Sequence, residues 1–135
     1  NNSNRFEARM VQVKINKSNS NFFRGMEGSQ LLVPVNHGEG KMIFPEHVSA
    51  KKIISDNLAP IQFCTNKGIE AEEFPENPNG SIHGITAVTN EDGRFLIMMP
   101  HPERSFLNNQ LSWTNEKGKH SPWYKLFLNA RNFYS

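Results

Sequence analysis

An imidazole and a carboxylate two residues apart, His101 and Glu103, close the apolar stretch Phe95–Pro100. In an extended chain, residues i and i+2 point to the same side. Pro100 and Pro102 restrict the backbone around His101 and favour that extended form. Such a pair suits proton transfer. Glu103 would accept the Nδ1 proton and fix the tautomer, and Nε2 of His101 would then take a proton from a nucleophile. Pairs of this type also occur on protein surfaces with no catalytic role, and the spacing by itself does not separate the two readings.

A second segment with chemical potential is His37-Gly38-Glu39, which follows the short apolar run Leu31–Val35. Glycine lets a backbone approach a ligand closely, and a loop after a strand offers free N–H groups. A tight turn that needs glycine for its φ alone would read the same way. His37, Glu39, His101 and Glu103 have the residue types of a zinc site, but no third-ligand spacing accompanies them, so no metal is expected.

The elements that must position these groups follow from periodicity. Phe6–Ile15 reads as a strand, because Val11, Val13 and Ile15 alternate with Gln12 and Lys14. The alternation slips at Arg9-Met10, which implies either a bulge or two buried faces. Phe22–Met26 reads as a short turn or helical piece, and Ile61–Thr65 as another strand. A helix is expected over Pro45–Asn57, with Val48, Ile53 and Ile54 on its apolar side. Glu72–Ser81 is a turn by composition, with Pro75, Pro78 and Asn79-Gly80. Ser81–Thr89 and Arg94–Met99 read as a hairpin around Asn90–Gly93. A last helix is expected from Ser121 as N-cap and Pro122 at its first position, with Trp123, Leu126, Phe127 and Ala130 on one buried face. Strands and helices mix along the chain, so the fold class is α/β.

Composition narrows the function. The 135 residues suffice for one core, with 36% hydrophobic content and a mean hydropathy of −0.61. No apolar run approaches the roughly 20 residues that cross a bilayer, so no membrane partner is expected. The opening residues Asn1–Arg5 hold no apolar segment of the kind a secretory leader carries. A net charge of +2 with scattered basic residues argues against nucleic acid, whose binding proteins cluster Lys and Arg on one face. The single cysteine, Cys64, rules out an internal disulfide and suits a reducing, cytoplasmic setting.

The run Pro100-His101-Pro102-Glu103 after a strand resembles the corresponding element of class I glutamine amidotransferases. Further segments are similar to the glutaminase domain of the large, single-chain phosphoribosylformylglycinamidine synthases. They are Asn2–Arg9, Phe22–Met26, Val33–Gly40, Asn77–Ser81, Gly84–Val88, Asp92–Arg94, Met98–Arg104 and Asn129–Arg131. They stand in the family's order and cover nearly the whole chain. The resemblance implies a flavodoxin-like three-layer sandwich, and it implies that His101 and Glu103 belong to a Cys-His-Glu triad that releases ammonia from glutamine. It matches His37, Gly38 and Glu39 to the lining of the glutamine pocket. Arg5 and Phe6 also match the family, without a role that sequence alone assigns. Within the family, the ammonia serves an ATP- and Mg-dependent synthetase domain that amidates formylglycinamide ribonucleotide in purine biosynthesis. No cofactor is expected in residues 1–135 themselves.

One element of the triad has no match. The family's cysteine sits on a glycine-flanked strand-to-helix elbow, where helix N-terminal amides favour the thiolate. Cys64 lies instead in the apolar Gln62-Phe63-Cys64-Thr65, with its nearest glycine at Gly68, and reads as a buried structural thiol. The expectation is that residues 1–135 form the C-terminal half of the domain. Its partners would then be glutamine, an upstream half that bears the nucleophile, and the synthetase domain of the same parent chain. Alone, the stretch should be marginally stable and inactive. The alternative is a non-catalytic scaffold that keeps the amidotransferase fold without the cysteine.

Overall fold

The computed structural model describes all residues, 1–135. Its centre is a three-stranded antiparallel sheet of β1 (Glu7–Ile15), β2 (Gln30–His37) and β3 (Ile61–Phe63), in the order β2-β1-β3. The β1–β2 register runs unbroken from Glu7 opposite His37 to Lys14 opposite Gln30. There is therefore no bulge at Arg9-Met10, and the sheet has one buried face rather than two. Val11, Val13 and Ile15 point into the core, whereas Met10, Gln12 and Lys14 on the other face are half-buried. Arg9 keeps the inward phase, and its charge is met by Glu7 at 2.8 Å. The apparent slip is a paired arginine on an otherwise regular strand.

Val33, Val35, Ile61, Phe63, Phe23 and Met26 complete the core against this face, together with Trp123 and Leu126 of the C-terminal segment. Helix α2 (Tyr124–Tyr134) begins three residues after the expected cap. The Ser121 hydroxyl accepts the Trp123 N–H at 3.2 Å and so caps the turn that leads into the helix. Trp123 is buried, and its indole N–H donates to the Leu32 carbonyl at 2.8 Å, which fixes the helix on β2. The Asn129 amide donates to the carbonyls of Phe22 and Arg24 and joins α2 to the short 3₁₀ turn Asn21–Phe23.

Helix α1 (Ala50–Ser55) is shorter than the Pro45–Asn57 expectation. Ser49 accepts the Lys52 N–H and starts the helix late, while Pro45–Val48 closes its own turn. Ile53 and Ile54 pack on a second small cluster of Ala50, Ala59 and Ile85. The hairpin is also shorter than expected: β4 (Ala87–Thr89) pairs with β5 (Leu96–Met98). Residues Ile82–Gly84 form a 3₁₀ turn instead of the start of a strand. Side chains divert the backbone here, since Asn79 Oδ1 accepts both the N–H and the hydroxyl of Ser81. No helix is long and apolar enough to cross a membrane. Helices and sheets together place the chain in the α/β class.

Candidate active site

Three chain segments meet along β2. His37 closes β2 and lies opposite Glu7, the first residue of β1. The turn after β5 joins the middle of β2, where the His101 N–H donates to the Pro34 carbonyl at 2.8 Å. This anchor sets the position of His101. The route to the His101–Glu103 pair differs from the extended one expected from sequence. β5 stops at Met98, His101 has φ −112° and ψ 76°, and Pro102–Arg104 forms a 3₁₀ turn. Proline's fixed φ suits the first position of such a turn as well as an extended chain. The turn folds Glu103 back, and its Oε1 lies 2.7 Å from His101 Nδ1. β5 itself is an exposed strand. It pairs on one side only, and Ile97 is 66% exposed.

The neighbouring imidazole has a different environment. His37 is 7% exposed. Burial lowers its pKa, and His101 acts in the same direction against Glu7 and a backbone hydrogen bond. His37 is therefore neutral around pH 7. Its Nδ1 has no hydrogen-bond partner in the chain, and its Nε2 is 3.5 Å from Asn79 Nδ2. Gly40 packs directly on the ring, so that a Cβ at 40 would lie 2.5 Å from three ring carbons. Gly38 borders Phe6, which is 64% exposed at the rim. Glu39 is exposed and makes no hydrogen bond or ion pair. Of the residues singled out in the sequence, the structure brings His101 and Glu103 into contact and places His37 near enough to His101 to feel its charge, while Gly38 packs on Phe6. His37, Glu39, His101 and Glu103 do not bring three donor atoms together.

Two asparagines that sequence reading assigned no role hold the His37–Gly40 loop. Asn1 donates through Nδ2 to the His37 carbonyl at 3.0 Å and accepts the Gly40 N–H at 3.0 Å. Asn79, 1% exposed, donates to the Gly40 carbonyl at 2.9 Å. Asn77 supports Asn79 from below by accepting the N–H groups of Asn79 and Gly80. The segment Asn77–Ser81 is thus a buried polar pillar as well as a turn. Its composition announced the turn, but nothing in the sequence indicated that the loop of residues 37–40 rests on it.

Cys64 sits apart in function. It is 1% exposed, follows β3 directly and bridges to Glu70. Burial pushes its thiol pKa up, against a weaker opposing effect of Lys14. No helix starts beside it. A buried thiol held protonated is the reverse of an activated nucleophile.

The family model of the CobB/CobQ-like glutamine amidotransferase domain matches residues 1–134. The chain belongs to that family. It is 46% identical over 138 aligned positions to the probable phosphoribosylformylglycinamidine synthase, chloroplastic/mitochondrial, of Arabidopsis thaliana. That alignment takes in 98% of this chain and 10% of the plant protein. Among solved structures, the chain superposes on PurLQS from Thermotoga maritima with a TM-score of 0.69 and 22% identity, covering all of this chain and 51% of the other. The fold is therefore shared with that solved structure. The chain spans about a tenth of the plant relative's length and about half of the solved chain.

Proposed function

We propose that residues 1–135 supply the acid–base half of a glutaminase site within a phosphoribosylformylglycinamidine synthase. The observation that carries the reading is the 2.7 Å approach of Glu103 Oε1 to His101 Nδ1, in a turn anchored on β2. Glu103 holds the imidazole in the tautomer whose Nε2 can exchange a proton. The nucleophile is a cysteine outside these residues, since Cys64 is buried and protonated. That thiolate attacks the glutamine amide carbon, and His101 protonates the departing ammonia. His101 then removes a proton from the water that cleaves the glutamyl thioester, which gives glutamate and restores the thiol. His37 and Gly38 border the glutamine.

In this reading the ammonia passes to a synthetase domain of the same parent chain, where ATP and Mg drive amidation of formylglycinamide ribonucleotide. The curated relative of that name, 46% identical, supports the substrate assignment. The exposed Phe95 (72%) and Ile97 (66%) on and beside β5 are the surface against which the nucleophile-bearing half packs. A cytoplasmic location fits the unpaired thiol. The plant relative carries chloroplastic/mitochondrial in its name, and cell fractionation distinguishes the compartments for this protein.

The test is His101→Ala in the full-length protein. Glutamine-dependent turnover should vanish while ammonia-dependent turnover persists. Survival of both activities would remove His101 from the mechanism.

A further inference from the structure

We propose that Glu70, Glu72 and His83 form a binding site for a divalent transition-metal cation of the zinc class, separate from the glutaminase residues. The three side chains bring one ligand atom each to within 4.8 Å of one another. His83 Nδ1 lies 2.9 Å from Glu72 Oε1 and 3.5 Å from Glu70 Oε1. Donors around a tetrahedral zinc with bonds near 2.0–2.2 Å are separated by about 3.4 Å, so the set needs only small adjustments to close on an ion.

The backbone builds this convergence. Residues 69–71 run back along β3, with Ala71 N–H donating to the Phe63 carbonyl at 2.9 Å and Glu70 bridged to Cys64. Glu70 and Glu72 are i and i+2 on this extended piece and share a side. Gly84 lets the next segment close in, because a Cβ there would meet the Phe63 carbonyl oxygen at 2.9 Å and that of Ala71 at 3.0 Å. The imidazole of the preceding residue is thereby delivered to the two carboxylates.

Both carboxylates face the same imidazole nitrogen, and a single Nδ1 proton can serve only one of them at a time. A divalent ion in place of that proton neutralises both. Gln62, 2% exposed, supplies the outer support typical of ligating carboxylates. Its Nε2 donates to Glu70 Oε2 at 3.2 Å and to the His83 carbonyl, while its Oε1 accepts from Asn16 at 2.9 Å. That bond turns Glu70 Oε1 toward His83. The imidazole selects zinc, nickel or cobalt over magnesium, which prefers an all-oxygen shell.

The experiment uses the full-length protein and zinc chloride, titrated against a chromophoric chelator. The wild type should bind one zinc more than the Glu70→Gln/Glu72→Gln variant, and His83→Asn should lower the affinity by at least about tenfold. Equal zinc content and affinity in all three proteins would overturn the site. A second readout needs only the wild type. Carbethoxylation of His83, followed by peptide mass spectrometry, should slow several-fold with zinc and stay unchanged with magnesium. No protection by zinc, or equal protection by both ions, defeats the proposal.

Discussion

Gly40 lies flat against the His37 imidazole, so closely that a methyl group on residue 40 would overlap the ring carbons at 2.5 Å. The glycine is required for proximity rather than for its backbone angles, since it is not among the residues with positive φ. Gly40→Ala must therefore push aside a ring that is buried and has little room to move. Overpacking of this kind costs about 1–3 kcal/mol. Urea denaturation should show the loss, and the glutamine KM should rise if the displaced loop lines the pocket. An unchanged midpoint would mean that the loop yields freely.

Asn79 supports the same loop through groups that water cannot reach. Asn79→Ala leaves the Gly40 carbonyl and the Ser81 N–H and hydroxyl short of a partner. Buried groups left unsatisfied cost about 1–3 kcal/mol each, so this substitution should destabilise more than Gly40→Ala does. Thermal unfolding of the two variants side by side decides the order.

His37 gives stability a sign in pH. Its folded-state pKa lies below the ordinary 6.5, so above that value neither state binds the proton and the group contributes no slope. As pH falls below about 6.5, the unfolded chain takes up the proton first and the folded state loses stability, down to the lowered folded pKa. Imidazole C2-hydrogen exchange, read by mass spectrometry, should report a pKa for His37 below that of a free histidine. The acid-side decline of the urea midpoint should be shallower in His37→Asn. A normal pKa for His37 would contradict the burial argument.

Glu103→Gln keeps the shape and removes the charge that orients His101. By analogy with triads that lose their carboxylate, glutamine-dependent kcat should fall by about 10²–10⁴, with the ammonia-dependent rate unchanged. A variant that retains its glutamine rate would demote the contact to a surface pair, the other reading that the sequence left open.

Cys64→Ala separates structure from chemistry at the one thiol. It should leave glutamine hydrolysis by the full-length protein intact and cost about 1 kcal/mol of packing. Thiol reagents should modify Cys64 slowly in the native state, because the thiol is buried and its pKa is raised. Loss of glutaminase activity in this variant would make Cys64 the nucleophile and overturn the assignment above.

Sequence by itself determined the elements whose signals are local. Alternation at Val11, Val13 and Ile15 marked the central strand, the spacing of Trp123 and Leu126 marked the face of the last helix, and a His between two prolines, followed by Glu103, marked the candidate base. These depend on periodicity and residue chemistry within a few positions. The tertiary structure alone decided that Arg9 continues a regular strand, because its partner Glu7 is visible only once the strand's faces are assigned. It decided that His101 reaches Glu103 through a 3₁₀ turn hung from the Pro34 carbonyl, since proline permits both conformations and a bond across 67 residues selects one. It also decided that Asn1 and Asn79 hold the loop of residues 37–40, and that Glu70, Glu72 and His83 converge. Such partners are distant in the chain and carry no mark in the local pattern, and only the packing of β1, β2 and the residue 77–81 turn, with the return of residues 69–71 along β3, brings them together.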